Sequence, residues 1–207
     1  METDSGGLVL RACGRHHEII LNGVFLMDTR DGRSERALVR EAIDGSHDAR
    51  VLLGGLGVGF SLDEALASPR VRAVVVVEIE EAIVRWARTH LRGLCPGGVD
   101  DPRVDVVVGD LAAHLRESSE TYDAICLDVD NGPDWLSREP NAWLYGDAGL
   151  DCLRGRLAPG GRLALWSASA SPDVARRLEQ RIGPVHTVAV PVARGPDDVI
   201  YVATARS

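Results

Sequence analysis

The strongest constraint on the fold is the alternation of apolar runs with amphipathic segments that begins at Arg50. Val74 to Val77 form a continuous β-branched run, which is typical of a strand that is covered on both faces. Apolar side chains at Ile79 and Ile83 follow at helical spacing. Strands that alternate with helices in this way predict a parallel sheet with helices on both of its faces.

This alternation continues to the end of the chain. Predicted strands cover residues 50–53, 71–78, 104–108, 122–127, 162–166, 185–190 and 199–203. Predicted helices cover residues 59–67, 79–91, 141–157 and 172–181, and a short one ends near residue 116. The last two strands are joined by a short turn, which favours an antiparallel pair at the sheet edge. The predicted fold class is therefore α/β, a Rossmann-like doubly wound, mostly parallel seven-stranded sheet with an antiparallel edge strand.

The first 45 residues have a different pattern. Two short strands, residues 8–13 and 17–22, flank a turn at Gly14 and predict a small N-terminal β-hairpin. Ser34 is a suitable N-cap for a helix that runs to about residue 43. We therefore expect a unit of residues 1–45, either a lid or a dimerisation segment, and a catalytic domain of residues 46–207.

Composition excludes several classes of function. The chain has 207 residues and a formal net charge of −8, which argues against a nucleic-acid-binding protein. It contains neither a signal peptide nor a long apolar span, so we expect a cytoplasmic protein without a membrane segment. The four cysteines form no C-x-x-C pair and the six histidines show no metal-ligand spacing, so no metal site is expected.

Glycines or carboxylates follow four successive predicted strands. They are the loop that contains Gly55, Gly57 and Gly59, then Glu78, then Gly109 with Asp110, and finally Asp128. Ligands bind at the carboxyl ends of strands in open parallel sheets. Glycines let a backbone approach a ligand closely, and carboxylates can accept hydrogen bonds from ribose hydroxyls and from an adenine amino group. Ile79 and Leu111, which adjoin two of the carboxylates, belong to the same expected cofactor site.

The spacing of the glycines separates two kinds of nucleotide ligand. A dinucleotide fingerprint is G-x-G-x-x-G, and its third glycine would fall on Phe60. The loop instead reads G-x-G-x-G, which favours a ligand without a pyrophosphate. A nicotinamide-dependent enzyme is therefore disfavoured.

These residues resemble the class I S-adenosylmethionine-dependent transferases and, among them, the spermidine synthase-like (polyamine aminopropyltransferase-like) group. The resemblance covers roughly residues 17–170. It rests on the glycine motif and following helix at residues 51–66, on 101–104 with Gly109-Asp110, on 122–128, and on 157–161. It implies Glu78 on the ribose, Asp110 on the adenine, Asp128 near the reacting amine, and a homodimer.

The chain departs from that group at three places. The group carries an Asp within the glycine motif, where this chain has Val58. It carries D-x-x-D-P after the fourth strand, where this chain has Asp128-Val129-Asp130-Asn131-Gly132-Pro133. It also carries Gln, Tyr and His in the segment that matches residues 26–35.

The expected chemistry is transfer from a sulfonium to a nucleophile, with carboxylates to take a proton. Asp128 and Asp130 are the catalytic candidates, because neighbouring carboxylates raise one pKa. The candidate substrate residues are Arg30, Glu35, Asn131, Trp135 and Tyr145. For Tyr145 a place in the helix core is an equal alternative, and for Arg30 and Glu35 a solvated charged face is the more common explanation. For Asp130 a plain Asp-Asn-Gly turn at the strand end is the alternative.

Three functions remain open after these observations. Methyl transfer from S-adenosylmethionine to a small molecule is the first hypothesis, because the departures near Val58 and Leu26 leave fewer acidic groups for a diamine. Aminopropyl transfer from decarboxylated S-adenosylmethionine is the alternative. A binding protein that retains the cofactor pocket without catalysis is the third.

Overall fold

The computed structural model describes residues 2–3, 7–129, 141–193 and 195–206. The strands are β1 (Glu2–Thr3), β2 (Leu8–Cys13), β3 (His16–Leu21), β4 (Val24–Asp28), β5 (Ala49–Gly54), β6 (Val71–Glu78), β7 (Val104–Val108), β8 (Tyr122–Leu127), β9 (Leu157–Ser167), β10 (Val185–Val190) and β11 (Asp198–Thr204). The helices are α1 (Arg33–Ile43), α2 (Phe60–Ala67), α3 (Glu81–Arg88), α4 (Leu111–Glu117), α5 (Ala142–Tyr145), α6 (Asp147–Gly155) and α7 (Pro172–Arg181).

Seven strands form one sheet in the order β10-β11-β9-β8-β5-β6-β7. Strands β5 to β9 are parallel, whereas β11 pairs antiparallel with β9 and β10 pairs antiparallel with β11. The predicted fold class is confirmed. The strand order reverses between β5 and its neighbours β6 and β8, and ligands bind at such a switch point.

Alternate residues of the central strands build a core on each face of the sheet. Leu53 and Val76 belong to the core on the side of α1, α2 and α3. Leu52 and Val75 belong to the core on the side of α4, α6 and α7. This arrangement follows from the period of two along a strand, and it explains the continuous apolar runs of the sequence. Cys126 is buried in the first core as a free thiol.

The N-terminal region is larger than the expected hairpin. Strands β1 to β4 form a four-stranded antiparallel sheet in sequence order. The segment after the turn at Asn22 and Gly23, which the sequence analysis did not assign to a strand, becomes β4. Helix α1 packs against α2 and against β9 of the large sheet. The boundary at residue 45 stays a prediction.

Two local predictions are wrong. Helix α1 begins at Arg33 with Gly32 as its N-cap, so Ser34 lies inside the first turn, and its hydroxyl donates to Asp198 instead of capping the helix. The expected helix over 141–157 is divided into α5 and α6 at Gly146, whose backbone is extended. No helix among the described residues is long and apolar enough to cross a membrane.

Candidate functional site

A cavity of about 750 Å³ lies at the carboxyl ends of the parallel strands. The ends of β5, β6, β7 and β8 supply one side of it, through Gly55, Glu78, Gly109 and Asp128. The N-terminal sheet and the first turn of α1 supply the opposite side. The four features that the sequence places at successive strand ends therefore meet around one space.

The glycine loop leaves β5 and enters α2 with its three glycines at positive φ, at 93°, 53° and 99° for Gly55, Gly57 and Gly59. A side chain at Gly55 or Gly57 would also clash with neighbouring atoms. A Cβ at Gly55 would lie 2.8 Å from the Asp128 carbonyl oxygen, and one at Gly57 would lie 2.7 Å from the Met27 sulfur. The loop thus packs between the end of β8 and the N-terminal sheet, which keeps its backbone at the cavity wall.

Glu78 binds the glycine loop from the end of β6. Its Oε2 accepts the Leu56 backbone N–H at 2.8 Å, and its Oε1 accepts the Glu80 N–H at 2.9 Å. Burial raises the pKa of Glu78, and the backbone hydrogen bonds from Glu80, Leu56 and Gly57 oppose that rise. Each oxygen of a carboxylate can accept a second hydrogen bond, so the Glu78 carboxylate retains acceptor capacity for a diol.

Asp110 caps helix α4. Its Oδ1 accepts the Ala113 backbone N–H at 2.7 Å, which leaves Oδ2 to face a ligand. Asp110 lines the cavity beside Ile79 and Leu111, the two apolar residues expected at the cofactor site.

The other end of the cavity is acidic. Asp128, Glu35 and Asp198 all line it, and they come from β8, α1 and β11. Burial raises the pKa of Glu35 to about 8, and the charges of Asp128, Asp198 and Asp31 add to that rise. Burial, together with the charge of Asp198, raises the pKa of Asp128 to about 6. Carboxyl groups in such surroundings are suited to take up a proton near neutral pH.

Asp198 was missed by the sequence analysis, although the sequence contains a signal for it. It is the first residue of β11, which runs antiparallel to the central strands. The beginning of an antiparallel strand lies at the same end of the sheet as the carboxyl ends of its parallel neighbours. A carboxylate before the last strand of such a sheet therefore belongs on the list of site candidates.

Charge is unevenly distributed over the described residues of the cavity wall. A single basic side chain lines the cavity, that of Arg33, and its guanidinium is paired with Asp31 at 2.6 Å. Eight carboxylates line it: Asp28, Asp31, Glu35, Glu78, Glu80, Asp110, Asp128 and Asp198. Such a space attracts cations and repels anions.

Some of the predicted site residues lie elsewhere. Arg30 is not part of the cavity wall, because its guanidinium pairs with Glu18 at 2.6 Å and also with Asp28. Gly59, the last glycine of the loop, is the N-cap of α2 and does not line the cavity. Tyr145 is buried and lines a separate, smaller cavity of about 180 Å³ between α5, α6 and α7. Asp130, Asn131 and Trp135 lie outside the described residues.

Comparison with known protein families shows to which family the chain belongs. Residues 38–170, which are more than half of it, match the spermine/spermidine synthase domain. The chain belongs to the spermine/spermidine synthase family. The resemblance that rests on the glycine motif and the strand ends is thereby confirmed.

Individual relatives agree with this membership. Polyamine aminopropyltransferase 1 of Streptomyces coelicolor is 39% identical over 154 residues, which are 73% of this chain and 28% of that protein. The polyamine aminopropyltransferase of Aeropyrum pernix is 30% identical over 171 residues, 79% of this chain and 52% of that protein. The chain thus spans about half or less of the length of these relatives.

The fold has close counterparts among solved structures. Spermidine synthase from Thermotoga maritima superposes with a TM-score of 0.73 over 91% of this chain and 65% of that one, at 19% identity. A spermidine synthase in complex with the transition-state analogue AdoDATO gives 0.74 over 91% and 66%, at 18% identity. At these identities the likeness concerns the fold alone.

The family match does not cover the whole cavity. The glycine loop, Glu78, Asp110 and Asp128 lie within residues 38–170. Glu35 precedes that span and Asp198 follows it. The cavity-lining residues at the strand ends therefore lie within the matched span, whereas Glu35 and Asp198 lie outside it.

Proposed function

We propose that this chain transfers an aminopropyl group from decarboxylated S-adenosylmethionine to an amine. The observation that carries the proposal is the charge of the cavity, where eight carboxylates face one guanidinium that is itself ion-paired. The decarboxylated cofactor has lost the carboxylate that such a wall would repel and keeps an ammonium that it attracts. An amine acceptor is also a cation at neutral pH.

Aminopropyl transfer thus takes the first place that the sequence gives to methyl transfer. Methyl transfer came first because Val58 stands where the related group carries an Asp. In the structure Val58 is 1% exposed, belongs to the apolar core and does not line the cavity. Glu35 and Asp198 supply acidic groups from other elements, so the apolar residue at 58 is no argument against a cationic ligand. The names of the relatives, which are polyamine aminopropyltransferases, support the same choice.

The residues have separate tasks in this reaction. The loop from Gly55 to Gly57, together with Glu78 and Asp110, holds the adenosyl part. When bound, the cofactor supplies a sulfonium whose neighbouring carbon is attacked by the nucleophile. Glu35 holds the acceptor by an ammonium group, whose positive charge lowers the pKa of the Glu35 carboxyl group and so favours its ionised form. Asp128 accepts the proton that the attacking nitrogen must lose, while the new N–C bond forms and the C–S bond breaks with its electrons returning to sulfur.

The products of turnover distinguish the transfer reactions. We expect the protein, incubated with a diamine and decarboxylated S-adenosylmethionine, to form methylthioadenosine and an aminopropylated amine, both detected by mass spectrometry. Intact S-adenosylmethionine should give no S-adenosylhomocysteine. The proposal is wrong if the intact cofactor is consumed and the decarboxylated one is not. Binding of methylthioadenosine without turnover of either cofactor would support the binding-protein hypothesis instead.

Replacing Glu78 tests the adenosyl end separately. We expect Glu78→Gln to weaken methylthioadenosine binding by about 10- to 100-fold, because a carboxamide can satisfy only one of the two backbone N–H groups that the carboxylate binds on opposite oxygens. Calorimetric titration measures the loss. Glu81→Gln is the matched control, since Glu81 is exposed at the beginning of α3. Equal affinity of both variants would contradict the assignment.

A further inference from the structure

One side-chain hydrogen bond joins the two ends of the chain at the acidic end of the cavity. The Ser34 hydroxyl donates to Oδ2 of Asp198 at 2.5 Å, across 164 positions of sequence. Ser34 lies in the first turn of α1 and is 8% exposed, and Asp198 begins β11. Both residues line the cavity. The bond therefore fixes the beginning of α1 against the terminal strand pair.

Glu35 follows Ser34 directly, so the position of its carboxyl group depends on the same contact. Its surroundings are unfavourable for a charge, because Asp128, Asp198 and Asp31 all act on it electrostatically. The nearby basic residues are engaged elsewhere. Arg33 pairs with Asp31, and Arg36 pairs with Asp63 on α2. Asp31 precedes α1, Arg33 and Arg36 lie on α1, Asp128 follows β8, and Asp198 lies on β11.

Neighbouring carboxylates repel one another, so other contacts are needed to hold them in place. The Ser34–Asp198 bond is a contact of that kind. A hydrogen bond to a charged group is worth more than one between neutral groups, and it is directional. Its loss should let the first turn of α1 and the beginning of β11 move apart, and Glu35 should then move away from Asp198 and Asp128.

We propose that Ser34 and Asp198 are positioning residues, whose hydrogen bond sets Glu35 beside Asp128 and so determines how tightly the chain holds a cationic acceptor. The inference deepens the proposed function and rests on it for the identity of the acceptor. Ser34, Glu35 and Asp198 all lie outside the span that matches the family domain.

The test compares variants that separate the hydrogen bond from the charge. Ser34→Ala removes the donor, Asp198→Asn removes the charge, and Ser34→Thr retains a hydroxyl. The matched control is Asp197→Asn, because Asp197 is exposed on the same turn and does not line the cavity. The measurements are KM for 1,4-diaminobutane, kcat, the dissociation constant of methylthioadenosine, and the pKa of Glu35 by carbon NMR titration of its carboxyl group.

We expect Ser34→Ala and Asp198→Asn to raise KM for the diamine by about tenfold or more, as the loss of a hydrogen bond to a charged group predicts. Methylthioadenosine binding should change by less than about twofold, because the proposed function assigns the adenosyl part to other residues, Gly55, Glu78 and Asp110. The pKa of Glu35 should fall in both variants, since both separate it from a negative charge. Ser34→Thr and Asp197→Asn should resemble the wild type in every measurement.

The outcomes separate this inference from the proposed function. If the wild type turns over no amine, the proposed function fails, and the NMR titration still tests the pair without turnover. If the pKa of Glu35 is the same in wild type, Ser34→Ala and Asp198→Asn, the positioning role is wrong. It is also wrong if KM for the diamine and the dissociation constant of methylthioadenosine rise together, which would indicate a general loss of structure.

Discussion

Asp128→Asn is expected to lower kcat by about 100- to 10,000-fold, the range that removal of a general base produces. Asp128 follows β8, lies beside the glycine loop and acts electrostatically on Glu35 across the cavity lining that they share. Burial and the charge of Asp198 raise its pKa to about 6, so the carboxyl group is ionised at neutral pH yet remains a useful base. The carboxamide of Asn occupies the same space but cannot take up a proton.

The pH dependence of the wild type gives a second measurement of the same group. Because the base must be deprotonated, kcat should rise as the pH increases through about 6, and Asp128→Asn should lose this rise. Methylthioadenosine binding should be retained, because the backbone of residue 128, not its carboxyl group, contacts the loop at Gly55. Asp105→Asn is the control, as Asp105 is exposed on the edge strand β7. A variant at 128 that keeps wild-type kcat would exclude Asp128 as the base.

The cavity wall at the strand ends could be predicted from the sequence because its parts are local. Gly55, Glu78 and Asp110 each lie at or just after the end of an apolar run. The right-handed connections of a parallel sheet bring the carboxyl ends of successive strands to the same end of the sheet. The prediction needed no knowledge of long-range contacts. Similar reasoning gave the seven strands, since their apolar runs reflect burial on both faces.

The acceptor end could not be predicted in this way because it depends on contacts between distant segments. Asp198 reaches the cavity only because β11 runs antiparallel, and Ser34 looked like a helix cap until its partner 164 positions away was known. Arg30 lies in a charged segment that fits a lid equally well, yet its pairing with Glu18 of β3 keeps it out of the cavity. Local patterns identify side chains that can bind a ligand, but tertiary pairing decides which of them do.

The raised pKa of Glu35 also predicts how stability depends on pH. The pKa rises from 4.5 to about 8 on folding, so between these values the native state holds a proton that the unfolded chain has released. The free energy of unfolding should therefore fall as the pH rises from about 4.5 to 8. The free energy of unfolding falls by at most about 1.4 kcal/mol for each pH unit in this range. Because the Glu35 side chain is partly exposed, the loss over the whole range is reduced to roughly 2–4 kcal/mol.

Glu35→Gln should remove this loss, because a carboxamide carries no charge at any of these pH values. At pH 8 to 9 the variant should be more stable than the wild type by roughly 2–4 kcal/mol, whereas near pH 4 the two should unfold alike. Chemical denaturation at a series of pH values measures the difference. Glu179→Gln, on the exposed side of α7, should follow the wild-type curve. Parallel curves for wild type and Glu35→Gln would mean that folding does not raise the pKa of Glu35, and that Glu35 is an ordinary solvated carboxylate.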